Sequence, residues 1–362
     1  MRKKTKILIL LTISFIFLAF VFHDHFLYKK PILKIDKIEE KKVKQTSSKE
    51  EHITQYIRGK VKNGKYKGKT FRLVNHSTTS GVYDEQIHKN SELFIEIKGD
   101  KVVGVSGIKR DKYIALLLVI FVNSLLLVAG RKGLKTLISL GINVLISFIA
   151  IFLFQKHART WNMLALYLFV SALFVTISLY ITNGKHKKTL ASILSSICSF
   201  IVSFLLAFII IKLYKKPIPY WTLDYIEAVH DYENFFYVTI LLSGLGAIMD
   251  ISITISSSLS ELIEKNPNIK THNLIKSGKE ICKDIIGTMN NVMLFTCFTS
   301  IIPMAFFLMK NNMVIGSAIS MYGQIELIVV LTSCISIVLA IPISLYISSL
   351  VLPKRKRGDI ND

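Results

Sequence analysis

Long apolar runs separated by short polar connections fill most of the chain, and one polar stretch near the start breaks that rhythm. About 20 apolar residues in helical form cross roughly 30 Å of hydrocarbon, and on that measure the pattern predicts about eight membrane helices. They run from Lys6 to His23, Tyr113 to Ala129, Leu134 to Phe154, Asn162 to Thr182, Leu190 to Leu213, Tyr237 to Leu259, Ile285 to Met309 and Leu327 to Leu352. The first follows Arg2, Lys3 and Lys4 and leaves through Phe20-Val21-Phe22-His23 with no small-x-small cleavage site. An uncleaved anchor suits it better than a removable signal peptide.

The exception, Asp24 to Lys112, has two halves of different character. Residues 24–51 include "KIDKIEEKKVKQTSSKEE", charged and without apolar period, which reads as a solvated linker. From His52 to Lys112 the pattern becomes short apolar runs such as "ITQYIRGKV", "KTFRLVN", "ELFIEIKG" and "KVVGVSGI". Turn signals separate them, among them Asn63-Gly64 and Gly99-Asp100, which tolerate positive φ. A small extracellular β-barrel or sandwich is expected. Asp84, Glu85, Glu92 and Glu96 interrupt its lysines, so the surface reads as solubilising rather than as a patch for an anionic partner.

Composition fixes the class. Half of the 362 residues, 51%, are hydrophobic, more than a soluble domain of this length buries. The net charge of +22 would suggest nucleic acid in a soluble protein. In a bilayer protein it belongs to cytoplasmic loops, so the partner expected is the lipid bilayer and no nucleic acid. The basic ends "MRKKTK" and "PKRKRGD" put both termini in the cytoplasm, and the loops "GRKGLK" and "NGKHKK" agree. That orientation fits a bacterial cell membrane. Cys198, Cys282, Cys297 and Cys334 lie in or beside apolar runs with no CxxC pair, which argues against a disulfide framework or zinc site. The expected organisation is therefore an anchor helix (1–23), a charged linker (24–51), the β-domain (52–112), a seven-helix membrane domain (113–352) and a basic cytoplasmic tail (353–362). Together these make a polytopic α-helical membrane protein with a small extracellular β-domain.

One span carries a charge. Within "GLGAIMDISITISSSLSELIEKNP", Ser243, Gly246, Asp250, Thr254, Ser257 and Glu261 recur at helical spacing and form one stripe. A carboxylate at membrane depth costs on the order of 3 kcal/mol, so Asp250 should face protein or water and have a use. Gly244 and Gly246 would admit a second backbone. In "SGKEICKDIIGTMNN", Asp284, Thr288 and Asn291 again share a face, with Gly287 beside them. Two such helices would supply oxygens for a cation or a proton, or would only hydrogen-bond to each other. Asp250 favours the functional reading, because a neutral residue joins helices at lower cost.

These two segments, in this order, resemble the YibE/F family of bacterial multi-spanning membrane proteins, which carry similar G-A-x-M-D and S-G…D-I-x-G-T-M-x-N segments. "VAGRKGLKTLISL" is similar as well, so the likeness runs from about Lys112 to Leu352. Lys283 stands where the family pattern has an arginine, and Lys279 and Glu280 also depart. The anchored outer domain resembles the YibE-type arrangement, which implies a YibF-type membrane partner. The resemblance implies an architecture and no reaction. An ion- or proton-linked transporter or channel component is the first expectation, supported by the polar stripes and by Pro303 and Pro342, which would break or kink late helices. The alternative is a membrane scaffold or sensor whose β-domain binds a partner. An enzyme is disfavoured, since no catalytic motif is present and His230, Asp231 and Glu233 form at best a weak metal cluster. No cofactor is expected.

Overall fold

The computed structural model describes residues 3–44, 51–78, 84–99, 101–157, 162–213, 232–310 and 314–352. The basic tail at 353–362, together with His230 and Asp231, lies outside the described residues. Internal contacts divide the chain into two compact units, Met1–Gly133 and Leu134–Asp362.

The first unit begins with helix α1, Lys3–Phe22, and a short 3-10 turn, Asp24–Leu27. Five strands follow: β1 Ile32–Lys44, β2 Glu51–Val61, β3 Thr70–Thr78, β4 Glu92–Lys98 and β5 Lys101–Ile108. They form one antiparallel sheet in the order β3-β2-β1-β4-β5, whose outer strands β3 and β5 curl towards each other. Leu33, Ile35, Ile57, Phe71, Leu93 and Ile95 fill its concave side, while Arg72 and Val74 alternate outward along β3. The expected β-domain is thus present as a barrel-like sheet.

Its central strand is the stretch read as a linker. Leu33 and Ile35 point inward, a bulge falls between Ile35 and Lys37, and Ile38 resumes the inward side one position out of phase. The bulge breaks the two-residue period, which is why the charged run shows no strand rhythm. Gly59 faces this bulge, paired with Ile35, and a Cβ there would collide with the backbone oxygen of Lys34.

The second unit is helical. Helix α2, Asp111–His157, starts in the first unit and runs 47 residues, about 70 Å at 1.5 Å per residue, so it has the length of two spans. Gly130 interrupts it with φ 54° and ψ −122°, a conformation only glycine adopts readily, between the spans expected to end at Ala129 and begin at Leu134. Then come α3 Met163–Asn183, α4 Lys187–Leu213, α5 Tyr232–Ser243, α6 Leu245–Lys265, α7 Thr271–Lys310, α8 Ile315–Ala318, a π turn at Ile319–Gly323, and α9 Gln324–Val351. The Asn162 side chain caps α3 by accepting from the amide of Leu164 at 2.9 Å. Pro303 and Pro342 sit inside α7 and α9, and neither ends its helix.

Among the described residues, six helical segments are long and apolar enough to cross a membrane, with Ile7–Phe22 a shorter apolar helix. The count differs from eight because α2 holds two expected spans, one on each side of the Gly130 kink, and because the apolar part of α1 counted here is only Ile7–Phe22. The core of this unit gathers Phe200, Tyr237, Ile248, Ile251, Leu259, Ile337 and Leu345 from α4, α5, α6 and α9.

Candidate functional site

Helix α6 has two polar stripes, and only one of them packs. Leu245, Ile248, Ile251, Ser252, Ile255, Ser256, Leu259 and Ile263 are buried against the bundle. Gly246, Asp250, Thr254 and Glu261 are exposed on the other side, with Ser257 at the margin. The Thr254 hydroxyl donates back to the Asp250 carbonyl at 2.6 Å, a bond within the helix. Among the described residues, none donates to the Asp250 carboxylate.

On α7 the bundle-facing residues are Leu274, Gly278, Cys282, Met289 and Met293. Asp284, Thr288 and Asn291 stand on the far side and are exposed, and the Thr288 hydroxyl donates to the Ile285 carbonyl at 2.9 Å. No hydrogen bond among the described residues joins this group to Asp250, Thr254 or Ser257. Of the three glycines expected at helix contacts, a Cβ on Gly244 would lie 3.5 Å from Ser333 and Ser336 of α9, whereas Gly246 and Gly287 have nothing within 4 Å. Gly278 is the tight contact that sequence reasoning passed over: a Cβ there would meet Leu345 at 2.5 Å.

The end of α5 and the packed polar stripe of α6 meet matching serines on α9. Ser243 shares a hydrogen bond with Ser333 at 2.8 Å, Ser252 with Ser344 at 3.0 Å, and Ser256 with Ser348 at 2.8 Å. Helix α4 packs on both and buries Thr189, Ser192, Ser195, Ser196, Ser199 and Ser203 on one face. The recurrence of serine at three- and four-residue steps in "ASILSSICSFIVSF" and "TSCISIVLAIPISLYISS" was the available signal.

In the first unit a buried ionic cluster ties the end of α1 to β4, β5 and the start of α2. Lys109 donates to Asp24 at 2.6 Å and also to Asp111, and lies 5.0 Å from the Tyr28 ring centre. Glu92 accepts from His25 at 3.0 Å and Lys112 at 2.8 Å. Burial works against both charges, but the hydrogen bonds outweigh it: those from Lys112 and His25 hold Glu92 below the usual carboxylate range. Those to Asp111 and Asp24 likewise raise Lys109. Burial, then the hydrogen bond to Asp111, pushes the Tyr28 phenol up to about 12. Beside the cluster opens a cavity of about 730 Å³, lined by Asp84, Glu85, His88, Lys89, Arg110 and Lys112 among others. Among the described residues, no group of three or more His, Cys, Asp or Glu is arranged to hold a metal.

A family model described as YibE/F-like protein matches residues 117–354, and one described as the YibE/F family N-terminal domain matches residues 26–109. The chain belongs to the YibE/F family. The YibE/F N-terminal match contains all five strands, β1 included, and the YibE/F-like match contains Asp250, Asp284 and the serine contacts. No curated protein and no solved structure matches the chain.

Proposed function

We propose that this multi-pass membrane protein is an ion- or proton-linked transporter or channel component in which Asp250 is the titratable or cation-binding group. One observation carries the reading: a carboxylate midway along a membrane helix receives no hydrogen bond from any described residue, with Thr254 and Ser257 following it on the same helix. Hydrocarbon does not compensate such a charge, so water or another protein must cover that face. The outward sides of α6 and α7 both carry oxygen-rich stripes. A YibF-type partner laid across them would enclose Asp250, Thr254, Ser257, Asp284, Thr288 and Asn291 in one protein-lined space. The orientation belongs to the same proposal: both termini cytoplasmic in a bacterial cell membrane, with the β-domain outside.

The test is proton and alkali-cation flux in vesicles reconstituted with the protein and its partner. Asp250→Asn keeps the shape and removes the charge. It should abolish flux while membrane abundance and thermal stability stay near normal. Full flux in the Asn variant would reject the role, and a joint fall of stability and flux would make the carboxylate structural.

A sensor or scaffold is the second reading, favoured by the 730 Å³ polar cavity beside the ionic cluster that links the sheet to α1 and α2. A partner captured by residues 26–109, with no flux through the membrane unit, would favour it.

A further inference from the structure

The serine contacts of α4, α6 and α9 carry a second inference. Ser195, Ser196, Ser199 and Ser203 of α4, with Thr189 and Ser171, have buried hydroxyl oxygens without a partner among the described residues. Such a hydroxyl forfeits its hydrogen bonds to water on folding, and nothing here replaces them. Close packing does not require them, since alanine allows the same helix approach with no polar atom to desolvate. From Thr189 to Ser203 they extend over about 20 Å of helix at 1.5 Å per residue, two thirds of a hydrocarbon core.

One point on this face has room for an occupant. A cavity of about 10 Å³ lies between Ser203, Gly244, Thr332 and Ser336, walled by Phe200, Phe204 and Ile248. That is about the space one water needs, and such a water needs polar partners. The Ser203 hydroxyl is unpartnered there and only 3% exposed. The Ser336 hydroxyl is turned to the Thr332 carbonyl at 2.8 Å and keeps its oxygen lone pairs for a donor. Ser243 at the end of α5, and Ser252 and Ser256 of α6, are bonded to Ser333, Ser344 and Ser348 of α9, so hydroxyls of these helices meet in the bundle interior.

We propose that this serine-lined contact of α4, α6 and α9 is a hydration path, drawn closed in this structure around a single water site at Ser203, along which water and a species that travels with it enter the membrane unit. Hydroxyls suit that role because each both donates and accepts, so a file of waters keeps its hydrogen bonds in either direction. Gly244 lies where α9 passes, and a Cβ added to it would reach van der Waals contact with Ser333 and Ser336 at 3.5 Å. Asp250 lies on the opposite side of α6, so this path is separate from the Asp250 proposal.

Chemical access tests it without knowledge of a substrate. Cys198, on the same helix but exposed on its outer side, is a built-in lipid-facing control. In the full chain with the other three cysteines replaced, Cys198 alone should react slowly with a small charged methanethiosulfonate. In a background also lacking Cys198, single cysteines at Ser199 or Ser203 should react at least about tenfold faster, because the reagent attacks thiolate and thiolate forms only where water reaches. Equal or slower labelling than at Cys198 overturns the proposal. Ser199→Ala and Ser203→Ala supply a second readout. If the hydroxyls hold water, alanine lowers the melting temperature; if they are dry and unpaired, alanine raises it and the proposal fails.

Discussion

Replacing Lys109 by methionine probes whether the ionic cluster holds the first unit together. The Lys109 side chain is 1% exposed and is the cation shared by Asp24, itself buried, and Asp111. One oxygen of Asp111 already lacks a partner among the described residues, so it has little capacity to absorb the loss. Methionine keeps most of the volume and leaves two carboxylates facing each other without a counter-charge. Removing one partner from a buried pair costs about 3–5 kcal/mol, most of it the uncompensated charge that remains. At 1.4 kcal/mol per factor of ten, amide exchange through opening of the sheet should accelerate by about 100- to 4,000-fold. Hydrogen exchange on the intact protein in nanodiscs, followed by mass spectrometry, reads this in peptides from β4 and β5. The Lys109 amide bonded to the Glu92 carbonyl at 2.7 Å lies in that region. Adding Asp24→Asn and Asp111→Asn should recover most of the protection, since a cluster replaced as a whole is often neutral. An exchange rate within about threefold of wild type for Lys109→Met alone would refute the reasoning, because the carboxylates would then have found water.

Gly59→Ala should destabilise the first unit by roughly 2 kcal/mol or more, because the added Cβ meets the Lys34 backbone, which cannot rotate away as a side chain would. Thermal unfolding of the variant measures it, and an unchanged midpoint would show that the bulge relaxes. Tyr28 and Lys109 both have raised pKa values when folded, so their contribution is complete below pH 10 and is lost as pH rises through about 12 for Tyr28. Unfolding followed across that window should show falling stability, and Tyr28→Phe should flatten part of the fall. Glu92 is held low instead, so its contribution is present above the ordinary glutamate value of 4.5 and disappears as pH drops through its depressed one. In a background without native cysteines, an impermeant reagent applied outside should label Ser91→Cys and spare Lys187→Cys; the reverse pattern would invert the proposed orientation.

What could be read from residues alone depended on whether one period dominated. The apolar runs were legible because twenty residues without charge have few other uses in a folded chain, and α3, α4, α5, α6, α9 and the second part of α7 fall on them. The Gly130 break was implicit in the gap between two runs. The central strand was hidden because a bulge after Ile35 shifts the alternation by one residue, so Lys37, Glu39 and Lys41 read as a charged linker. Helical spacing placed Gly246, Asp250 and Thr254 on one stripe of α6. It could not say which way that stripe faces, because Ser252 and Ser256 make a second polar face on the same helix. Only the tertiary fold decides between them, and it packs the serines while leaving the carboxylate outside.

That division of α6 restricts how the membrane unit can work. Were Asp250 paired inside the bundle, its burial would be a structural matter and a neutral residue would do as well. Left outside, it is neither paired by any described residue nor tolerated by lipid, at a cost on the order of 3 kcal/mol. The inner face is closed by serine pairs at 2.8–3.0 Å and by Gly244 against α9, contacts that hold helices close yet can be exchanged for water at small cost. A helix built this way couples two events: rotation or displacement that opens the serine side must also move the carboxylate side against whatever covers it. A partner gripping Asp250 would therefore bias the hydration path without touching it, and a change in protonation or bound cation at Asp250 would shift that bias. If so, Ser199→Cys labelling should change with pH or alkali cation in the presence of the partner and lose that dependence in Asp250→Asn. Labelling that is independent of both conditions would leave the two faces of α6 uncoupled and refute the link.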